Sequence, residues 1–299
     1  MKHFTTCIIL VALVTLCINQ QEDVINPENR EWTVQDWKEY LTLMSPPLGQ
    51  DITSMVPAIQ NIDELPVGTH LVYHIESFVV STETDMRYTI TISGKDTVKN
   101  IPCIVMDITV EAEITGIEKS MEIHATGTEW VDEEGTPVRI EEEMVMYFTE
   151  YEIPLEIVME RTGEEVYSGI DSWVFSGVQT MNVMGNDVEG TITEYIDKES
   201  SSVVRVITEV GDQYEDTGLI EPTVSTQLLE WELGGREGVT TLMGVYDCQA
   251  IYLKKNGDTV GTIWASEKVK VPIKAVFSYE VGGTNLDVVM TLEEYMLGT

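Results

Sequence analysis

"IVMDITVEAEI", Ile104 to Ile114, decides the fold. Ile104, Met106, Ile108, Val110, Ala112 and Ile114 take every second position, and Val105, Asp107, Thr109, Glu111 and Glu113 take the positions between. Successive side chains of an extended chain point to opposite faces, so the segment has one apolar and one polar face. Clean alternation of this kind belongs to an antiparallel sheet packed on one side and wet on the other. The pattern recurs in "RYTITIS" with Tyr88, Ile90 and Ile92. It recurs again in "VKVPIKAVFSYEV" with Val269, Val271, Ile273, Ala275, Phe277, Tyr279 and Val281. Ser93-Gly94, Glu134-Gly135, Gly185-Asn186, Asn256-Gly257 and Gly282-Gly283 read as turns between runs. Asn256-Gly257 is the clearest hairpin signal, because both residues tolerate positive φ. Beyond Leu65 a strand meander is expected, with no helix longer than two turns.

The period differs upstream. In "EWTVQDWKEYLTLMSPPLG", Thr33 is placed to cap a helix with Asp36 at its third position, and Pro46 and Pro47 end it. Trp37, Tyr40, Leu41 and Met44 fall at i, i+3, i+4 and i+7, one apolar stripe. The stripe is expected to pack on the concave face of a sheet, and a second short helix is expected between Asp51 and Pro57. Residues 1–20 read as a signal peptide or N-terminal anchor: Lys2 and His3 precede a short apolar run from Cys7 to Ile18. Lipidation at Cys17 is an alternative use of the same segment. The chain therefore divides into 1–20, a helical segment 21–65, a first antiparallel unit 66–160 and a second 161–299. Its expected location is secreted or cell-envelope, with membrane attachment only through the N-terminal segment.

Composition narrows the partners. The 299 residues include 52 acidic and 17 basic side chains, a formal net charge of −35, with 43% hydrophobic residues. The core can be large, while the field repels nucleic acid and anionic lipid surfaces. Outside the first 20 residues the cysteines are Cys103 and Cys248. Each sits in an alternating strand, so two separate core thiols are expected rather than a disulfide.

The chain repeats itself. "IPCIVMDI" at 101–108 lies against "VYDCQAIYL" at 245–253, aligning Cys103 with Cys248. Downstream, Trp130 aligns with Trp264 and Pro137 with Pro272. A Cys-strand, a Trp-strand and a Pro-led strand thus occur twice in one order, which reads as an internal duplication.

"EWVDEEGTPVRIEEEM", Glu129 to Met144, resembles the Trp-x-Asp-x-x-x-small-Pro-Val-Arg strand pair of LolA-like lipoprotein-sorting proteins and their half-barrel relatives. "IWASEKVKVPIKAVFSYE" is a looser copy with Lys274 near the place of Arg139. The resemblance spans some forty residues and implies a strongly curved sheet wrapped as an open half-barrel around helices, with an apolar concave side for acyl chains. The duplication and the acidity depart from that family. Trp130 and Trp264 are expected to be packing residues.

Catalytic signatures are lacking: there is no G-x-S-x-G, H-E-x-x-H, Walker or dinucleotide-binding motif. His70 and His74 share a strand face but suggest no third ligand, and no metal or cofactor is expected. Asp132–Glu134 reads as a turn and Glu141–Glu143 as a solvated strand rather than a calcium site. Lys254, Lys255, Lys268, Lys270 and Lys274 form a basic patch, expected to pair across strands with glutamates. The chain is thus expected to be a non-enzymatic protein that holds or carries a hydrophobic ligand, a lipid or lipoprotein acyl chain, in an apolar concave sheet face. Trp37, Tyr40, Leu41, Met44, Ile104, Met106, Ile108 and Val110 are the expected contacts. The alternative is a structural or interaction β protein of the envelope surface.

Overall fold

The computed structural model describes residues 32–40, 66–79, 82–116, 120–133, 135–148, 151–183, 185–198, 203–219, 229–267, 269–281 and 284–298. Among the described residues, one helix, α1 (Val34–Tyr40), precedes fifteen strands. They are β1 (His70–Val79), β2 (Thr82–Val98), β3 (Ile101–Thr115), β4 (Ser120–Val131), β5 (Pro137–Phe148), β6 (Tyr151–Tyr167), β7 (Ile170–Val183) and β8 (Asn186–Asp197). There follow β9 (Val203–Val210), β10 (Gln213–Asp216), β11 (Glu230–Thr241), β12 (Gly244–Lys255), β13 (Asp258–Ser266), β14 (Val269–Val281) and β15 (Thr284–Met296).

All fifteen strands join one open, strongly curved antiparallel sheet in the order β10-β9-β8-β7-β6-β5-β4-β3-β2-β1-β15-β14-β13-β12-β11. Two meanders meet where β1 pairs with both β2 and β15. The expected boundary at 160/161 falls inside β6. Residues 161–299 supply both ends of the sheet, β7–β10 on one side and β11–β15 on the other.

The alternation read from the sequence sets the faces. Ile104, Met106, Ile108, Val110, Ala112 and Ile114 are buried, while Asp107, Glu111 and Glu113 are exposed. One hydrophobic cluster runs over the inner face from β1 to β15 and includes Tyr88, Ile90, Ile92, Ile273, Ala275 and Phe277. Each fully buried side chain of this size is worth about 1.5–3 kcal/mol in transfer free energy, so the inner face holds the sheet in its curve.

Turn chemistry explains most connections. Asn256 (φ 55°) and Gly257 (φ 89°) link Lys255 to Asp258 as the expected two-residue hairpin. Lys99–Asn100 (φ 51° and 67°) and Ser168–Gly169 (φ 51° and 88°) do the same between β2 and β3 and between β6 and β7. Ser93-Gly94 is not a turn. It lies inside β2, where the register to β3 slips between Ile92 and Gly94. A bulge inserts one residue and increases local twist without reversing the chain, and glycine suits that role as well as a turn.

The Cys, Trp and Pro strands recur down to hydrogen-bond register. Trp130 pairs with Val105, two residues beyond Cys103, and Trp264 pairs with Ala250, two residues beyond Cys248. On the other side Trp130 pairs with Arg139 and Trp264 with Lys274. A register slip follows each Trp and sets the next residue opposite Pro137 or Pro272. The Trp130 indole N–H donates to Asp96 at 3.1 Å, and that of Trp264 donates to Glu237. Asp96 in turn pairs with Cys103, and Glu237 with Cys248. Arg139 and Lys274 lie over their indoles at 5.3 and 5.8 Å from the ring centres. Both tryptophans are therefore half-buried packing and strand-locking residues.

Cys103 and Cys248 are free and buried, and burial raises both thiols, that of Cys248 to about 11. A thiol is reactive as the thiolate. In the native protein both are expected to resist alkylation at neutral pH and to react fully once the chain is denatured without reductant. Peptide mapping by mass spectrometry checks this, and a Cys103–Cys248 disulfide peptide would contradict it.

At the start of the described chain, Thr33 and Asp36 form a reciprocal capping box. The Asp36 amide donates to the Thr33 hydroxyl at 3.2 Å, and the Thr33 amide donates to the Asp36 carboxylate at 2.7 Å. The box fixes α1 so that Trp37, 1% exposed, enters the inner cluster, with Trp32 at 4.7 Å between ring centres. Lys38 lies over Trp231 of β11, 5.3 Å from the ring centre.

Candidate functional site

Three acids occupy the apolar phase of their strands. Glu129 follows Ile123, Ala125 and Gly127 on the inner face of β4. Glu142 stands between Ile140 and Met144 on β5, and Glu194 between Ile192 and Ile196 on β8. Glu129 and Glu194 are 0% exposed and Glu142 is 7% exposed. Glu142 corrects the reading of Glu141–Glu143 as a solvated strand, because the middle residue of the three points inward. Among the described residues, neither oxygen of Glu129 or of Glu142 has a hydrogen-bond partner. That is unusual, since most buried polar atoms are paired and an orphaned one costs about 1–3 kcal/mol.

Pairing sets their geometry. Glu129 lies opposite Ile140, and Glu142 lies opposite Gly127. The two glutamates are thus diagonal neighbours on one face, at a Cβ separation of about 7 Å that long side chains bridge. Gly127 contributes no side chain between them. A Cβ there would sit 2.9 Å from the Glu141 carbonyl oxygen, so a glycine is required by the close approach of β5. Beside Gly127 is a hollow of about 10 Å³ among Ile108, Val110, Ala125, Thr126, Thr128, Glu129, Ile140, Glu141 and Glu142, and its wall is apolar. That volume admits one water-sized group.

Burial dominates the electrostatics. It raises Glu142 to about 8, with the charge of Glu194 adding to the shift. It also raises Glu129 well above the usual carboxylate range, with Glu142 adding to the shift. The Tyr88 phenol on β2 is raised by burial and then by both glutamates. At neutral pH Glu129 and Glu142 are therefore mainly neutral carboxylic acids, each able to donate one hydrogen bond and to ionise when a cation arrives.

The surroundings are rich in methionine. Met86, Met106, Met121, Met144, Met146 and Met159 are buried on five adjacent strands, β2 to β6, and of these Met106 pairs with Glu129 and Met144 is two residues from Glu142. Unbranched thioether chains repack at low cost, which suits a surface that must change shape around an occupant.

Of the residues expected from sequence to contact a ligand, Ile108 and Val110 line the hollow, and Ile104 and Met106 are buried on the same strand. Trp37 is buried in the same cluster, on α1. Leu41, Met44 and the Tyr40 side chain lie outside the described residues, as do residues 1–20 and the second expected helix. The sequence reading missed Glu129, Glu142 and Glu194. Their signal was an acid in the apolar phase of a strand, hidden among 52 acids.

The other polar features are structural. His74 meets Asp85 at 3.0 Å, and the His70 Nδ1 meets the Thr91 hydroxyl at 2.9 Å. Arg161 pairs with Asp132 at 2.9 Å and lies over Trp173 at 4.4 Å. Lys254 pairs with Glu232 across β11 and β12, as expected of the basic patch. Among the described residues no group of three or more His, Cys, Asp or Glu is placed to hold a metal ion. No helix of the described chain is long and apolar enough to cross a membrane.

Fold and site together define an open, strongly curved single-sheet β protein with buried acids on an apolar inner face. In comparisons with known proteins, the chain matches no family and no curated sequence.

Proposed function

We propose that this is an exported, non-enzymatic binding protein of LolA-like half-barrel type that receives a hydrophobic ligand, a lipid or an acyl chain, on the inner face of its sheet. The supporting observation is the methionine-lined stretch of β2 to β6. The buried methionines lie on the inner-face strands that also carry the hollow beside Gly127, and that hollow is walled by Ile108, Val110, Ala125 and Ile140. The free protein keeps the site closed, and the ligand opens it by displacing methionines.

Native mass spectrometry of protein purified without detergent tests this. A bound species of lipid mass, or uptake of an added C12 amphiphile at one-to-one stoichiometry, is expected. A bare mass under both conditions would overturn the proposal. A second reading, association through sheet edges, has one supporting feature: β11 is a twelve-residue edge strand with no neighbour beyond it among the described residues.

A further inference from the structure

We propose that the inner face is opened by deprotonation: the β4–β5 ladder stays closed while Glu129 and Glu142 are protonated, and parts as they ionise, which admits a hydrophobic molecule. The opening stands on the two acids. Its use in ligand uptake rests on the ligand-binding reading above.

The inner face holds acids and no base. Glu129, Glu142 and Glu194 are buried there, and among the described residues no lysine, arginine or histidine is buried with them. Neither oxygen of Glu129 or of Glu142 has a hydrogen-bond partner. A neutral carboxyl tolerates such a place at modest cost. An ionised one does not, because an unpaired charge in an apolar interior is far more costly than an unpaired neutral group. With no cation inside to pair with, a carboxylate formed here gains most from water, and water reaches it when strands separate.

The register points to the place of separation. Glu129 on β4 lies opposite Ile140, and Glu142 on β5 lies opposite Gly127. Parting this one ladder hydrates both acids, whereas parting β3 from β4 or β5 from β6 reaches only one of them. Gly127 also sets no side chain opposite Glu142. The first charge formed opposes the second, so an opening that hydrates both relieves that repulsion as well. The other ionisable groups facing the pair are Glu194 on β8 and the Tyr88 phenol on β2, both acidic. β3 brings Met106 and Ile108 to this face, β6 brings Ile157 and Met159, and β7 brings Phe175 and Gln179, all uncharged.

The sign follows from the protons. The closed face holds protons that the opened, hydrated acids release in the ordinary carboxylate range. Closure is therefore favoured at about pH 5. It weakens as pH rises through the range in which the buried acids ionise, which for Glu142 reaches about 8.

The test is hydrogen exchange of the full chain at about pH 5 and about pH 8, corrected for intrinsic rates, beside urea unfolding at each pH. Amides of the β4–β5 ladder are expected to exchange through an opening more frequent than global unfolding allows. The opening constant is expected to rise by roughly a hundredfold or more between the two pH values, and uptake of the uncharged dye Nile red is expected to rise with it. In the double variant Glu129→Gln with Glu142→Gln, both pH effects are expected to vanish, and a urea transition as cooperative as the native one shows that the variant is folded. Glu156→Gln, at an exposed position on the outer face of β6, is expected to keep both effects and so exclude surface repulsion as their cause. Exchange of the ladder amides only through global unfolding, an opening constant equal at the two pH values, or a pH dependence that survives in the double variant would overturn the proposal. A pH-dependent opening without a rise in dye uptake would overturn the admission step and leave the opening. Native mass spectrometry decides the ligand-binding reading separately.

Discussion

Replacing Glu142 with glutamine is expected to stabilise the protein by on the order of 4 kcal/mol at about pH 8 and by only about 1 kcal/mol at about pH 5. In the folded chain Glu142 is raised to about 8 from an ordinary 4.5, chiefly by burial. Between those values the folded state holds a proton that the unfolded state has released. Stability therefore falls as pH rises from about 4.5, and the fall levels off above about 8. Glutamine keeps the shape and the hydrogen-bonding capacity of the neutral acid but has no proton to lose. The groups facing Glu142 are Glu129, Glu194 and Tyr88. The first two sharpen the effect, because an ionised Glu142 would be repelled by any charge on either. Urea unfolding followed by circular dichroism at the two pH values checks this. A native protein equally stable at both, or a Glu142→Gln variant that loses stability on alkalinisation as steeply as the native chain, would contradict it. The same variant also separates stability from function: a protein that gains stability when an acid is removed has kept that acid for another reason.

The strands were legible because their signal is local. Ile104 to Ile114 announces its two faces within one strand, and Asn256-Gly257 announces a reversal within two residues. Where one signal serves two structures, the reading failed: glycine at Gly94 marks a bulge in β2, and the same residue type at Gly257 marks a hairpin. The connections at Lys99–Asn100 and Ser168–Gly169 carried weaker turn chemistry, since lysine and serine seldom adopt positive φ. The placement of β1 between β2 and β15 left no trace in either strand's sequence, because pairing between chain-distant strands depends on the whole sheet. The repeated Cys, Trp and Pro order proved informative to the level of register, since Trp130 and Trp264 each meet a basic neighbour and an acidic acceptor at the same relative positions. The candidate site was harder to read. Its evidence is one acid per strand in the wrong phase, and that phase error matters only once the strand's inner face is known to be buried.

Gly177→Ala is expected to be the most damaging single methyl in the protein, with a loss of more than about 4 kcal/mol, the range in which a substitution marks a specific steric failure. Gly177 lies on β7 opposite Met159 of β6 and Ile192 of β8, next to the inner-face residues Phe175 and Gln179. A Cβ at this position would stand 1.9 Å from the Val158 carbonyl oxygen and 2.7 Å from both the Val158 carbonyl carbon and the Met159 Cα. These are backbone atoms of a paired strand, so no rotamer change relieves the clash, and the β6–β7 ladder must move. Gly127 and Gly190 are pressed in the same way, at 2.9 Å from Glu141 O and 2.6 Å from Glu209 O. The three glycines mark where the sheet bends so tightly that a neighbouring strand fills the space of a side chain. Gly94→Ala is the matched control. It lies in a strand, at a bulge, and a Cβ there meets nothing within 4 Å, so its expected effect is within about 1 kcal/mol of zero. Urea midpoints of the two variants, with soluble yield as the readout if Gly177→Ala does not fold, separate the cases. Near-native stability for Gly177→Ala would mean that β6 and β7 can part without loss and that the tight curvature at this point is not needed to close the inner face. Gly127→Ala would then be the next position to test, since it presses on β5 directly beside Glu142 and would close the hollow as well as strain the strand.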